Sequence, residues 1–220
     1  MYNIAIDGPA GAGKSSIARA AAEKLGFLYV DTGALYRTVA LAALRRGLRP
    51  EDKADIIGIL PELEVTMQFV DGEQRVFLNG EDVSEDIRLP EVSFAASTVS
   101  AIPEVRQFLF DLQQKMGREN NVLMDGRDIG TVVLPDAGLK IFLTATPEER
   151  ARRRYEQLKD KEGITYEAVL EDLNKRDYQD THREIAPLKQ ADDAVLLDTT
   201  HMSFDEVVEA ILTLAKERFA

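Results

Sequence analysis

The sequence predicts an α/β fold in which a parallel sheet carries helices on both faces. An apolar segment, a glycine-rich turn, a helix and a second apolar segment follow one another within the first thirty residues, as in a βαβ unit. Further short apolar segments alternate with helical stretches later in the chain. We expect a single domain over residues 1–220, with an insert over about residues 34–100.

The first βαβ unit is defined by its hydrophobic spacing. Residues 2–6 predict a short buried strand, residues 14–25 carry apolar side chains at helical spacing, and residues 27–30 predict a second strand. Gly26 is a typical helix stop because glycine reaches left-handed backbone angles without steric cost. The two strands should therefore be parallel and joined by a right-handed crossover.

The middle of the chain predicts a small antiparallel sheet over about residues 63–83. Apolar and polar residues alternate from Val65 onward, which is the period of a strand with one buried face. The dipeptides Asp71-Gly72 and Asn79-Gly80 are typical of two-residue hairpin turns. We expect these hairpins to be an outgrowth of the parallel-sheet core.

The second half of the chain supplies the remaining elements. A helical stretch over residues 90–117 is interrupted near Pro103, since proline lacks the amide that a helix interior needs. Capping boxes beginning at Thr146 and Ser203 predict two further helix starts. Three more short apolar strands are expected over residues 122–124, 139–143 and 194–197.

Composition excludes several classes of partner and site. There are 39 acidic and 27 basic residues, so the net charge is −12, and we expect neither nucleic acid nor an anionic membrane as partner. The chain has no cysteine and only two histidines, which leaves oxygen ligands for any metal. No basic leader and no apolar run long enough for a membrane span is found. We expect a cytoplasmic monomer.

Residues 8–15 match the phosphate-loop pattern G-x-x-x-x-G-K-[ST] in full. Backbone amides of such a loop point at phosphates, Lys14 reaches the terminal phosphates, and the Ser15 hydroxyl can bind Mg²⁺. A dinucleotide fold is disfavoured because the G-x-G-x-x-G spacing is missing. We expect nucleotide contacts from Gly8, Pro9, Ala10, Gly11, Ala12, Gly13, Lys14, Ser15 and Ser16.

Three motifs make the sequence resemble the bacterial cytidylate kinases over nearly its whole length. They are Asp31-Thr32-Gly33-Ala34-Leu35-Tyr36-Arg37, Gly80-Glu81-Asp82-Val83-Ser84 and Asp125-Gly126-Arg127-Asp128-Ile129-Gly130-Thr131. The resemblance implies a P-loop kinase fold with a helical lid. It also implies transfer of the γ-phosphoryl group of ATP to CMP or dCMP.

The resemblance assigns residues to the acceptor. Phosphate contacts are implied for Arg37, Arg127 and Arg183, because guanidinium groups bind phosphate oxygens bidentately. Cytosine contacts are implied for Asp128, Ser97 and Arg106, although Ser97 and Arg106 could also be ordinary exposed helix residues. The complete set expected to bind CMP is Thr32, Arg37, Ser97, Arg106, Arg127, Asp128, Arg176, Asp180 and Arg183, with Arg176 and Asp180 at the ribose.

An arginine-rich segment over about residues 150–166 is expected to form a mobile lid that closes over ATP. Arg150, Arg153 and Arg154 share one helical face, and such a face could stabilise the charge of a transferring phosphoryl group. We expect Arg150 to bind ATP and Lys14, Arg127, Arg153 and Arg154 to act in catalysis. The alternative is a solvated surface whose arginines pair with nearby glutamates.

Magnesium is the expected cofactor, held mainly through the nucleotide phosphates and by Ser15. Asp125 ends an apolar strand and is a candidate for a further metal contact, but Asp7 and Asp31 occupy similar strand ends. No general base is expected, since the attacking phosphate oxygen is already anionic at neutral pH.

Two other interpretations stay open at this point. One is a P-loop kinase for another small acceptor, such as UMP, AMP or shikimate. The other is a nucleotide-dependent switch that reports to a partner protein. A switch would hydrolyse ATP slowly and would not respond to added monophosphate, so turnover separates the two classes.

Overall fold

A five-stranded parallel sheet forms the centre of the fold in the computed structural model, which describes residues 1–70, 73–159 and 163–219. The strand order is β2-β6-β1-β7-β8, and every neighbouring pair is parallel. These strands are β1 Asn3–Asp7, β2 Leu28–Asp31, β6 Val122–Gly126, β7 Leu139–Thr144 and β8 Val195–Asp198.

Helices cover both faces of this sheet. The bounds are α1 Lys14–Leu25, α2 Thr32–Arg45, α3 Lys53–Ile59, α4 Pro90–Val99, α5 Pro103–Glu119, α6 Pro147–Leu158, α7 Tyr166–His182 and α8 Phe204–Phe219. Ile4 and Ile6 of β1 face α1 and α8, whereas Ala5 between them faces the opposite side with Val30 and Met124. The predicted α/β class is therefore confirmed. Among the described residues no helix is long and apolar enough to cross a membrane.

The antiparallel sheet predicted in the middle of the chain is also present. Its strands are β3 Val65–Val70, β4 Glu73–Leu78 and β5 Glu81–Asp82, in that order. Asn79 and Gly80 both have positive φ, 50° and 82°, as a type I′ hairpin turn requires. The predicted turn at residues 71–72 lies outside the described residues. This sheet shares a buried core with α2, α4 and α5. The insert bounds 34–100 stay a prediction.

Strand and helix ends differ from the prediction by one or two residues for local reasons. Phe27 was predicted to begin a strand, but its amide donates to the Ala22 carbonyl oxygen at 2.9 Å and completes the end of α1. Strand β6 runs on to Gly126 because Asp125 and Gly126 lie in register with Ile6 and Asp7 of β1. The helical interruption at Pro103 is confirmed, since α4 ends at Val99 and α5 begins at Pro103.

Candidate active site

A cleft of about 840 Å³ lies at the carboxyl ends of β1, β2 and β6, where parallel α/β sheets bind their ligands. Its walls come from the phosphate loop, α2, α4, α6, α7 and the segment before α8. The predicted residues that line it are Gly11, Ala12, Gly13, Lys14, Ser15, Ser16, Thr32, Arg37, Ser97, Asp125, Arg127, Asp128, Arg153, Arg154, Arg176, Asp180 and Arg183. Gly8, Pro9, Ala10, Arg106 and Arg150 are predicted contacts that stand behind this lining.

The phosphate loop depends on its glycines. Gly11 and Gly13 have φ of 73° and 85°, a region that disfavours residues with a Cβ atom. At Gly8 a Cβ atom would collide with the Leu143 carbonyl oxygen of β7. Gly13 precedes α1 without any side-chain cap. The free amides and dipole of this helix end suit an anion.

Lys14 is held at the base of the loop. Its Nζ atom donates to the carbonyl oxygens of Gly8 and Pro9 at 2.7 and 2.8 Å, and the residue is 5% exposed. Burial and the charge of Arg127 lower the pKa of Lys14 to about 7. A phosphate group nearby would favour the charged form and raise this pKa. The side chain is thus set for a polyanionic ligand.

Ser15 and Asp125 form an oxygen-only pair beside the loop. The Ser15 hydroxyl donates to Asp125 Oδ2 at 2.9 Å, and the buried Tyr29 hydroxyl donates to Oδ1 at 3.0 Å. Burial and the neighbouring Asp31 carboxylate raise the pKa of Asp125 to about 6, and a cation would reverse that shift. Hard oxygen ligands fit Mg²⁺. Within the described residues no group of three or more His, Cys, Asp or Glu could hold a metal ion.

The other two strand-end carboxylates are engaged away from Ser15. Asp31 caps α2 by accepting from the Ala34 amide at 3.0 Å, and it pairs with Arg37. Burial favours a higher pKa for Asp31, but Arg37 outweighs it and holds the pKa below its usual value. Asp7 accepts the backbone amides of Ile129 and Gly130. Asp125 is therefore the metal candidate that this geometry favours.

Several arginines line the same cleft, and carboxylates accompany most of them. Arg37 Nη2 lies 2.8 Å from Asp31, and Arg127 Nε lies 2.8 Å from Asp180. Among the described residues, the buried donors with no hydrogen-bond partner include Nε of Arg37 and of Arg176. An unsatisfied buried N–H is costly, and a phosphate oxygen is the acceptor that suits a guanidinium group best. The two unpartnered groups therefore suit an anion, and the phosphate contacts predicted for Arg37 and Arg127 stay predictions.

Asp128 connects two of the predicted acceptor residues. It is 4% exposed, and its carboxylate accepts hydrogen bonds from Arg106 and, at 3.2 Å, from Arg183. Arg106 is buried and its guanidinium lies 5.5 Å from the centre of the Tyr36 ring, so it is not the exposed helix residue of the alternative interpretation. The carboxylate and the guanidinium together offer acceptors and donors for a polar base edge.

Two hydroxyl groups predicted at the acceptor have protein partners. Ser97 Oγ donates to Gln179 Oε1 at 3.1 Å and so links α4 to α7 across the cleft. Thr32 Oγ1 donates to the backbone oxygen of Asp125 at 2.8 Å and ties the start of α2 to the end of β6. Both residues line the cleft, so either hydroxyl oxygen can also face a ligand.

A family model described as Cytidylate kinase matches residues 4–217. The chain belongs to the cytidylate kinase family. This confirms the predicted family and the predicted class, an ATP-dependent nucleoside monophosphate kinase.

Individual relatives agree with the family model. A cytidylate kinase from Caldicellulosiruptor bescii is 52% identical over 213 residues, covering 96% of this chain and 94% of that protein. One from Caldanaerobacter subterraneus is 54% identical over 209 residues, covering 94% and 92%. A solved structure of an uncharacterized protein from Eubacterium ventriosum has a TM-score of 0.55 at 14% identity, covers 99% of this chain and 100% of that chain, and supports the fold alone.

Arg150 is buried beside the phosphate loop and does not line the cleft. It is 4% exposed, and its guanidinium donates to the carbonyl oxygens of Ala145 and Ala10 at 3.0 and 2.7 Å. It also forms a 2.6 Å ion pair with Asp177, which accepts the Ala10 amide as well. Arg150 thus supports the phosphate loop through Ala10 and Asp177 and does not line the cleft, and its predicted contact with ATP stays a prediction.

The remaining lid arginines have nearby acceptors. Arg153 donates to Glu149 at 2.8 Å and to the Thr199 carbonyl oxygen at 2.6 Å, while Arg154 donates to Gln157 at 3.2 Å. Hydrogen bonds from Arg152, together with Arg153, lower the pKa of Glu149 to about 2. Part of the predicted lid, residues 160–162, lies outside the described residues. The catalytic roles of Arg153 and Arg154 stay predictions.

Sequence reasoning missed three polar residues of this site. Asp177 holds Arg150 and the phosphate loop, Tyr29 holds Asp125, and Gln179 holds Ser97. Asp177 lies three residues before Asp180 on α7, about one helical turn, so helical spacing could have placed it on the same face of the helix. Nothing local marks Tyr29 or Gln179, because their partners are 96 and 82 residues away.

Arg150→Met should lower the free energy of unfolding by about 3 kcal/mol, because it leaves Asp177 and two backbone oxygens of a buried network without their donor. Chemical denaturation followed by circular dichroism measures this change. Arg152→Met is the matched control on the same helix: its side chain is 61% exposed and pairs with Glu149, so about 1 kcal/mol or less is expected. Weaker ATP binding by Arg150→Met at unchanged stability would restore the predicted ATP contact.

Proposed function

We propose that this protein transfers the γ-phosphoryl group of ATP to CMP or dCMP and releases ADP with CDP or dCDP. One observation carries the assignment of the two substrates to this cleft. The phosphate loop and an arginine cluster line the same cleft, and Nε of Arg37 and of Arg176 has no hydrogen-bond partner in the part of the chain that the structure describes. Two sets of anion-binding groups in one cleft are what a reaction between two phosphate groups requires.

ATP would occupy the side of the cleft formed by residues 8–16. The amides at the start of α1 would receive its phosphates, with Lys14 at the terminal ones. Ser15 and Asp125 would hold Mg²⁺ together with the phosphate oxygens, and the ion supplies charge neutralisation when bound. Arg153 and Arg154 would stabilise charge on the transferring group once their segment closes over it.

The monophosphate would occupy the arginine side. Its phosphate would bind Arg37, Arg127 and Arg183, whose present carboxylate partners it joins or replaces. An oxygen of that phosphate is the nucleophile, and it is anionic at neutral pH without help from a base. These residues then contribute by positioning the nucleophile in line with the γ-phosphoryl group and by reducing the repulsion between two anions.

Cytosine would be selected by its hydrogen-bonding edge. Asp128 and the Ser97 hydroxyl oxygen would accept from the amine, while Arg106 would donate to the ring nitrogen and the carbonyl oxygen. Uracil presents a carbonyl oxygen where cytosine has the amine, so a carboxylate there faces an acceptor. Arg176 and Asp180 would contact the ribose, and Thr32 would close the wall beside it.

A substrate panel tests this function against its rivals. ADP release should be fast with CMP and dCMP and slow with UMP, AMP, GMP or shikimate. Equal rates with several acceptors would refute cytosine selection. Slow ATP hydrolysis that ignores every acceptor would favour the nucleotide switch.

We also infer that the protein works in the cytoplasm as a monomer on small nucleotides. The net charge of −12 opposes binding to nucleic acid. Size-exclusion chromatography with light scattering checks the oligomeric state.

Lys14→Ala should reduce kcat by on the order of 10²- to 10³-fold, because it removes a charge directed at the transferring group. Steady-state kinetics and a thermal unfolding curve give activity and folding together. Lys24→Ala, on the same helix, removes an exposed lysine that pairs with Glu209 of α8 and should leave kcat unchanged. Near wild-type turnover by a folded Lys14→Ala protein would contradict the proposed ATP site.

Asp128→Asn should reduce the ratio of kcat/KM for CMP to that for UMP by about ten-fold or more. The amide can donate to the uracil oxygen, and each gained or lost charged hydrogen bond contributes on the order of 1.5 to 3 kcal/mol. A change in the positions of Arg106 and Arg183 that affects kcat/KM for CMP and for UMP equally cancels in this ratio. Asp180→Asn is the control, since a ribose contact should weaken CMP and UMP equally. An unchanged ratio for Asp128→Asn would show that Asp128 does not recognise the base.

A further inference from the structure

Asp7 is a buried carboxylate that the reaction described above does not use. It ends β1, directly before the first glycine of the phosphate loop, and is 5% exposed. Its two oxygens accept different backbone amides, Oδ1 from Ile129 at 2.8 Å and Oδ2 from Gly130 at 2.7 Å. These amides open the π-helical turn Ile129–Val133 that follows Asp128. One side chain thus joins two segments 122 residues apart.

We propose that Asp7 is a positioning residue that fixes the acceptor-binding residues Arg127 and Asp128 relative to the phosphate loop. The inference rests on the proposed roles of Arg127 and Asp128. Both precede the anchored amides by no more than three positions, so these hydrogen bonds restrict the movement of their backbone. The pairing of β1 with β6 already places Gly126 beside Asp7, and the Asp7 carboxylate extends this connection to the turn beyond Asp128.

Only a carboxylate satisfies this turn fully. Two amides that point at one side chain need two acceptor oxygens, and an asparagine offers one acceptor and an opposing N–H group. The turn also packs closely here, because a Cβ atom on Gly130 would lie 3.2 Å from the Lys140 side chain and 3.4 Å from Asp7 Oδ2.

The charges around Asp7 favour the same arrangement. Burial raises the pKa of Asp7 to about 6, and the charge of Asp128 acts in the same direction, while both amides and Lys14 oppose it. Lys140 packs its stem on Gly130 and directs its Nζ to Asp193 at 2.9 Å. The ionised carboxylate of Asp7 is thus stabilised chiefly by the hydrogen bonds from the two amides, which offset the cost of its burial.

Asp7→Asn should affect the two substrates unequally. We expect kcat/KM for CMP to fall about ten-fold, the size expected for one lost hydrogen bond to a charged group, while Kd for an ATP analogue changes less than about two-fold. The CMP to UMP ratio should fall too, since Asp128 loses its fixed position. A merely structural role would weaken both substrates by the same factor, and that result, or unchanged CMP kinetics, would overturn the proposal.

Asp193→Asn is the matched control. It removes the charge that pairs with Lys140 beside the same turn. It leaves the hydrogen bonds between Asp7 and the turn intact, so the kinetics with both substrates should stay unchanged. A wild-type enzyme that phosphorylates CMP and an Asp128→Asn variant that changes base preference would uphold the proposed function. A failure confined to Asp7→Asn then counts against this inference alone.

A measurement on the wild-type enzyme covers the case in which Asp7→Asn does not fold. The backbone amide signals of Ile129 and Gly130 in NMR spectra should move together with pH, with one midpoint near the pKa of about 6 for Asp7. Amides elsewhere on the turn, such as that of Val132, donate to the Asp128 carbonyl oxygen and should shift much less. Ile129 and Gly130 signals that do not share a midpoint would rule out the link.

Discussion

The site depends on the need to keep cations close together inside an acidic protein. Guanidinium groups that face one another in a cleft repel and are costly to bury unless carboxylates balance them. The fold meets this need by placing a carboxylate beside most of the arginines of the acceptor side. The pairs are Arg37 with Asp31, Arg127 with Asp180, and both Arg106 and Arg183 with Asp128.

Three of the carboxylates in and around the site stand at the ends of parallel strands. Parallel strands finish at one edge of the sheet, so Asp7, Asp31 and Asp125 meet there although they are far apart in sequence. Their tasks then divide by what each one contacts: Asp7 holds a turn, Asp31 caps a helix and holds an arginine, and Asp125 faces Ser15. Similar positions in the sheet therefore give three different functions.

The sequence was sufficient for the elements whose signal is local. The phosphate loop, the Asn79-Gly80 turn and the break before Pro103 each follow from a few adjacent residues. Arg150 could not be placed in this way, since helical spacing shows which residues share a face but not what that face contacts. Its buried position depends on Asp177, whose place next to Ala10 exists only after α6 and α7 pack together.

The pairing of the arginines with carboxylates could also limit the hydrolysis of ATP when no acceptor is bound. A guanidinium that already holds a carboxylate gives up that partner only to another anion, because a neutral water molecule offers no compensating charge. In the proposed function the phosphate of CMP would make this exchange, and it would thereby bring Arg37, Arg127 and Arg183 into contact with the reacting groups. Binding energy from the acceptor would then complete the catalytic arrangement, which is how specificity can be linked to turnover. The carboxylates of the acceptor side would thus limit hydrolysis as well as balance charge.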